Sequence, residues 1–198
     1  MDESLGHRKR VRHYHDLGHA HELTFSCFHR WPLLTNDSWR TMLSESIDRA
    51  MQNHGYRLTA FVFIPEHVHL LICPMPDAGK IDGLLRAIKR PYSYRIKQVL
   101  FESRSRLLDR LTIQQRPGVS TFRYWQEDPG YDRNITNVST ILSMIDYLHL
   151  NPVRRGLVKS AGDWKWSSAR FYLTDPPQQY PSLPQVHRLP AEWLDVPS

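Results

Sequence analysis

The densest apolar stretch of the chain is YRLTAFVFI at residues 56–64, followed after Pro65-Glu66 by HVHLLIC at residues 67–73. Two short apolar runs parted by a tight turn predict an antiparallel strand pair. Upstream, residues 21–29 (HELTFSCFH) alternate Leu23, Phe25 and Cys27 against Thr24, Ser26 and Phe28, the period of a first strand. Between these strands, Thr35-Asn36-Asp37-Ser38 offers helix caps. Trp39, Met42, Leu43, Ser46, Ile47 and Ala50 then recur at helical spacing until Asn53-His54-Gly55 stops the run. Residues 81–89 (IDGLLRAIK) open a second helix, in which Pro91 predicts a kink or a break. Residues 92–111 read as helix again, basic and amphipathic. A loop is expected at residues 114–120 around Pro117-Gly118, then a short strand at 122–126 and a turn at Asp128-Pro129-Gly130. The last strong helix runs from about residue 137 to 150 and is expected to end before Pro152.

No internal repeat interrupts this order. Strand, helix, two strands, helix, strand and helix together predict an α+β fold with a ferredoxin-like antiparallel sheet. Residues 14–175 form the expected domain. Residues 1–13 make a basic arm before it, and residues 176–198 a proline-rich tail that either docks through Trp193 or stays loose.

Charge narrows the partner. The chain of 198 residues carries 26 Lys and Arg against 20 Asp and Glu, a net +6. That balance favours a polyanion such as nucleic acid. Cys27 and Cys73 stand alone in strand-like runs, so they suit reduced core residues in a cytosol rather than a disulfide or zinc set. The polar, basic N-terminus is unlike a signal peptide, and no apolar run is long enough to cross a bilayer, so a cytoplasmic protein with no membrane partner is expected.

Within the third strand stand His67 and His69. Alternation puts both on one face, roughly 7 Å apart at Cα, where two imidazoles can share one metal ion or simply be satisfied by hydrogen bonds. Two ligands rarely make a site, so further groups must come from elsewhere. The last helix offers them. At ~100° per residue, Val138, Ile141, Leu142, Ile145 and His149 form the expected core stripe. Tyr147 falls opposite that stripe, with Asn151 one turn further on.

Four segments in order carry a family resemblance: PEHVHLLI, YWQEDPGYDRNI, IDYLHLNPVRRGLV and DWKWSSARFY. Together they resemble the single-tyrosine HUH transposases, in particular the REP-associated tyrosine transposases, over roughly residues 14–172. The resemblance implies the HUH endonuclease fold, with His67-Val68-His69 as the metal-binding triplet and Tyr147 as the nucleophile that attacks a DNA phosphodiester. It implies a third metal ligand one turn after the tyrosine, here Asn151, where the best-known insertion-sequence relatives carry glutamine; Glu66 or a water is the next candidate. It further implies Mg²⁺ or Mn²⁺ as cofactor, and single-stranded DNA beside a hairpin, a palindromic repeat, as substrate. A 5′-phosphotyrosine intermediate would store the energy of the cut strand for rejoining.

Grip on such a substrate calls for basic and aromatic groups. Lys89, Arg90, Arg95 and Lys97, interleaved with Tyr92 and Tyr94, offer one set, and Arg154, Arg155 and Lys159 another, directly after the tyrosine helix. For any single one of these, a solvated basic face is the plainer reading. Trp125, Trp164 and Trp166 suit core or lid positions as well as base stacking. Alternatives to a DNA-cutting transposase are a hairpin-binding protein without cleavage, and a metal hydrolase or RNA-processing protein on a similar sheet in which Tyr147 is incidental.

Overall fold

The computed structural model describes residues 19–127 and 130–189, so the basic arm and Trp193 lie outside the described residues. Its centre is a four-stranded sheet in the order β2-β3-β1-β6, every adjacent pair antiparallel. The strands are β1 (Ala20–Ser26), β2 (Tyr56–Ile64), β3 (His67–Pro74) and β6 (Tyr131–Ile135). Helix α1 (Asp37–His54) starts at Asn36, whose side chain accepts from the Trp39 N–H, and stops at Gly55, left-handed at φ 70°. With α2 (Ile81–Glu102) it covers one face of the sheet, where Phe25, Phe61, Phe63 and Leu70 meet Leu43, Ile47, Leu84 and Ile88. Helix α4 (Val138–Arg154) covers part of the other, packing Ile141, Met144, Ile145 and Leu148 on Ala60, Val62, Ile64 and Leu71. This is the expected ferredoxin-like arrangement, with one helix added on the second face.

Helix α2 does not break at Pro91. Leu84, Ile88, Tyr92, Ile96 and Leu100 are all buried at four-residue intervals that run straight through the proline. An interior proline costs about 3 kcal/mol, less than the several buried side chains at ~1.5–3 kcal/mol each that would be exposed by a break. Likewise α4 continues through Pro152 to Arg154. The proline falls in the last turn and removes a single intrahelical donor, while the next carbonyls are used by Arg155 and Leu157.

The fourth strand of the sheet is β6, not residues 122–126. That segment makes an isolated Cys27–Trp125 bridge and packs the Trp125 ring edge-on to Phe25 at 4.9 Å, without forming a strand of the sheet. The expected loop at 114–120 is instead a two-stranded ribbon, β4 (Thr112–Arg116) and β5 (Val119–Phe122), turning at Pro117-Gly118 after a short helix α3 (Leu107–Arg110). Gly130 leads into β6 at φ 74°, and a Cβ there would collide with the Thr24 carbonyl, so only glycine lets β6 close onto β1 at this point.

After α4 the chain returns across β2. Trp164 Nε1 donates to the Phe63 carbonyl (3.0 Å), Trp166 Nε1 to Asp37 (2.7 Å), and the Ser168 hydroxyl accepts from the Phe61 N–H (3.0 Å) just before α5 (Ala169–Leu173). Buried His149 of α4 meets the same hydroxyl at 2.8 Å, and burial pushes its pKa down to about 4. The His149–Ser168 contact ties α4 to this returning segment, which the other bonds fasten to β2 and α1. Part of the tail docks as well: Leu183 and Val186 pack on the core and the His187 N–H bonds the Leu58 carbonyl. Both cysteines are buried and free, their thiols pushed up by burial to about 12 and about 11. Among the described residues, no helix is long and apolar enough to cross a membrane.

Leu70 on central strand β3 is fully buried between sheet and helices. Leu70→Ala is therefore expected to cost about 2–5 kcal/mol, read as a lower denaturant midpoint at unchanged slope.

Candidate active site

Strand alternation puts His67 and His69 on the α4 face of β3, as expected. Their Nε2 atoms approach to 3.0 Å, with ring centroids 4.7 Å apart and planes at 81°. Each ring is held from its other side. His67 Nδ1 lies 3.2 Å from Glu66 Oε1. His69 Nδ1 lies 2.7 Å from Thr24 Oγ1 and 3.5 Å from Glu22 Oε1. The register explains this, since Thr24 is directly opposite His69 and Glu22 is its neighbour on the same face of β1. Burial first, then the adjoining His69 and the guanidiniums of Arg155 and Arg30, push the His67 pKa down to about 3. His67 is therefore a neutral imidazole with a lone pair available at ordinary pH.

Helix α4 crosses above. The buried stripe of α4 is Ile141, Met144, Ile145, Leu148 and His149, while Leu142 is 49% exposed and Val138 only half-buried, so the stripe is rotated from the expected one. Tyr147 stands at its edge, 41% exposed, with its ring edge-on to His69 at 6.3 Å between centroids. Asn151 is not on the exposed side with Tyr147. It is 8% exposed, and its Oδ1 is buried without a hydrogen-bond partner. A buried amide oxygen without a partner is the kind of group an ion would satisfy. Among the described residues no three His, Cys, Asp or Glu side chains gather as a metal cluster. The donors that the geometry brings together are the two imidazole nitrogens, and the Asn151 oxygen on α4 is the candidate for a third.

An open cleft of about 410 Å³ lies beside the pair, between β1, β6 and α4. His69 and Tyr147 line it together with Glu22, Thr24, Tyr131 and Arg133, four residues the sequence reading did not single out. Alternation in β1 puts Glu22 and Thr24 on one face, whereas Tyr131 and Arg133 reach the cleft only through the register that pairs them with Thr24 and Glu22.

The basic residues divide between two places. The Arg154 guanidinium sits 4.9 Å over the Tyr147 ring, Arg155 is ion-paired with Glu66, and Lys159 is exposed beyond the helix end. Lys89, Arg90, Arg95 and Lys97 lie on α2, across the sheet from Tyr147. Lys89 lies over the Phe25 ring at 5.0 Å, Arg95 pairs with Glu45 at 2.5 Å, and Lys97 is exposed. With Arg86, Arg123 and Trp125, Lys89 and Arg90 line a groove of about 640 Å³. Tyr92 is not available to stack on bases: it is buried and its hydroxyl donates to Tyr124 (3.0 Å). Tyr94 is 64% exposed. Trp125 and Trp166 are core residues.

The family model described as "Transposase IS200 like" matches residues 18–123, more than half of the chain. The match contains His67 and His69 and ends before α4. The chain is 22% identical to a REP-associated tyrosine transposase of Escherichia coli (strain K12) over 129 residues, 64% of this chain and 62% of that protein. It is 23% identical to a putative REP-associated tyrosine transposase of Haemophilus influenzae (strain ATCC 51907 / DSM 11121 / KW20 / Rd) over 117 residues, 59% of this chain and 61% of that protein. The matched region thus spans less than two thirds of either relative. In three dimensions the fold is similar to that of a REP-associated tyrosine transposase solved bound to a REP hairpin, with a TM-score of 0.64 and 22% identity over 85% of this chain and 87% of that one.

Proposed function

The chain belongs to the IS200-like transposase family, and on that premise we propose that it cuts and rejoins single-stranded DNA beside a hairpin through Tyr147. The observation that carries this reading is the convergence of the His67 and His69 Nε2 atoms with the Tyr147 ring beside them.

The Tyr147 oxygen attacks the phosphorus of a DNA phosphodiester, loses its proton and forms a phosphotyrosine ester. The bond from phosphorus to the 3′ oxygen breaks, and that oxygen leaves as a 3′-hydroxyl after taking up a proton. Another 3′-hydroxyl reverses the step on a new end, so no nucleotide cofactor is required. Mg²⁺ or Mn²⁺ held by His67 and His69, with Asn151 as the oxygen candidate, would supply neutralisation of the phosphate charge, and the nitrogen pair favours Mn²⁺. Tyr147 stands half-exposed at the cleft edge, where a strand can reach it without unfolding α4. Arg154 places a positive charge next to the attacking group, and Arg133 another on the facing wall of the cleft. Tyr131, 53% exposed, offers a ring for a flanking base. The groove along α2, with Lys89, Arg90 and Arg123, is suited to the phosphates of a stem held away from the cut. The hairpin as partner is supported by the REP hairpin in the similar solved structure, and DNA as substrate assigns the work to the cytoplasm.

The test is to incubate the full chain with labelled single-stranded hairpin DNA and Mn²⁺ or Mg²⁺. Denaturation-resistant label on the protein, carrying the 5′-phosphate side, is the expected result. Hairpin binding with no adduct under any ion would favour the non-cleaving alternative. Asn151→Ala is expected to raise the ion concentration needed for half-maximal adduct formation roughly tenfold, ~1.4 kcal/mol, without abolishing the reaction. An unchanged ion requirement would remove Asn151 from the donor set.

A further inference from the structure

Behind the histidine pair runs a chain of groups that takes no part in the chemistry above. We infer that Glu66 is a positioning residue: clamped by Arg155, its carboxylate fixes the tautomer and rotation of His67 and ties the end of the tyrosine helix to the strand of the histidines. The inference rests on the reading of His67 and His69 as an ion-binding pair.

Proton bookkeeping leads to it. Glu66 lies in the β2–β3 turn, its side chain 14% exposed, and Oε1 faces both the Arg155 guanidinium and His67 Nδ1. A carboxylate paired with a guanidinium only accepts, so His67 Nδ1 carries the proton and His67 Nε2 the lone pair. The His67 Nε2 lone pair faces His69 Nε2 at 3.0 Å, so His67 is in the tautomer that a ligand needs. His69 is held separately, its Nδ1 2.7 Å from the Thr24 hydroxyl on β1. The two histidines are therefore not equivalent: the β2–β3 turn and the end of α4 orient His67, and β1 orients His69.

Two earlier assignments change. Glu66 engages the ring edge remote from Nε2, so through Oε1 it orients a ligand rather than acting as one. Arg155 follows the last residue of α4, and its charge is directed at Glu66, not outward to a phosphate. This ion pair bridges the two elements whose separation sets the distance from Tyr147 to the histidines. Buried partners of ligand histidines of this kind commonly change ion affinity by about 10–100-fold when removed.

The test uses the full chain labelled with ¹⁵N at histidine. Ring-nitrogen spectra without added ion should show His67 protonated at Nδ1. Glu66→Ala should move His67 toward the Nε2-protonated form and weaken Mn²⁺ binding, followed by electron paramagnetic resonance, by about 10–100-fold. Arg155→Ala, a change at a side chain 44% exposed that should leave the fold intact, should shift the same signals less. Arg155→Lys should restore them, and hairpin affinity should stay within about twofold. A His67 tautomer indifferent to Glu66→Ala would overturn the inference whether or not Mn²⁺ binds. So would an Arg155→Ala variant with unchanged tautomers and a tenfold loss of hairpin affinity, the pattern of a phosphate contact. If wild-type protein binds no Mn²⁺ while the tautomers respond as described, the positioning role stands and the ion-binding reading fails.

Discussion

Tyr147→Phe is expected to abolish the covalent protein–DNA adduct while leaving hairpin binding and stability close to wild type. The substitution removes one oxygen from a side chain 41% exposed at the edge of α4. The buried stripe of Ile141, Ile145 and Leu148 that seats the helix is untouched, and so is the ring contact with His69. Stability should therefore change by less than about 0.5 kcal/mol. The reaction loses its nucleophile outright, so the rate of adduct formation should fall by at least about 10³-fold, or ~4 kcal/mol of barrier. A labelled hairpin, denaturing electrophoresis and a thermal melt of the variant suffice. The competitor on sequence grounds is Tyr94, which is more exposed than Tyr147 but sits on α2, across the sheet from His67 and His69. Adduct formation by Tyr147→Phe at the wild-type rate, or mapping of the DNA to Tyr94, would show the nucleophile to be wrong even if the reaction class is right.

How much of this was legible in the sequence varies with how local the cause is. The histidine pair was legible because a strand has a period of two, so the shared face follows from spacing alone. Tyr147 stood out because α4 has a clear apolar rhythm, although Met144 and Leu148 carry the stripe where Leu142 was expected. Strand β6 was not legible. YDRNI is an edge strand with only Ile135 fully buried, so its alternation sets polar against polar and leaves no hydrophobic signature. With β6 went Tyr131 and Arg133, and so the second wall of the cleft. The orienting groups were hidden for another reason. Thr24 meets His69 only through the register of strands far apart in the chain, and Arg155 meets Glu66 only once α4 has docked. Lys89 and Arg90 read as a basic run with stacking tyrosines, but Tyr92 is the inward-facing member of that run. A turn of helix around a buried aromatic shows the same residues as a DNA-tracking surface. The expected break at Pro91 failed because a local penalty of about 3 kcal/mol is smaller than the burial of Tyr92, Ile96 and Leu100 that depends on the helix continuing, whereas Pro152 falls in the last turn of α4, where a single donor is lost.

His67→Ala and His69→Ala should each lower adduct formation by roughly three orders of magnitude, ~4 kcal/mol, with hairpin affinity largely kept. The separation is expected because affinity for nucleic acid is dominated by phosphate contacts spread over basic side chains, whereas the imidazole pair is confined to one point of the cleft. The two variants differ in what they leave behind. His67→Ala removes a ring whose carboxylate partner Glu66 retains its ion pair with Arg155, so the neighbourhood stays satisfied. His69→Ala withdraws the imidazole beside Glu22, a carboxylate only 5% exposed, and should cost more stability, of the order of 1–3 kcal/mol. His67→Ala is thus the cleaner test of chemistry, and denaturation curves of both are the control. Chelation of divalent ions in the wild-type protein should reproduce the loss, and adding Mn²⁺ should reverse it in the wild type but not in either variant. Metal-dependent cleavage at full rate by the double variant would show that the ion, if one acts, is held elsewhere. A chelator-resistant wild type would remove the ion from the reaction and leave Tyr147 to act with Arg154 and Arg133 alone.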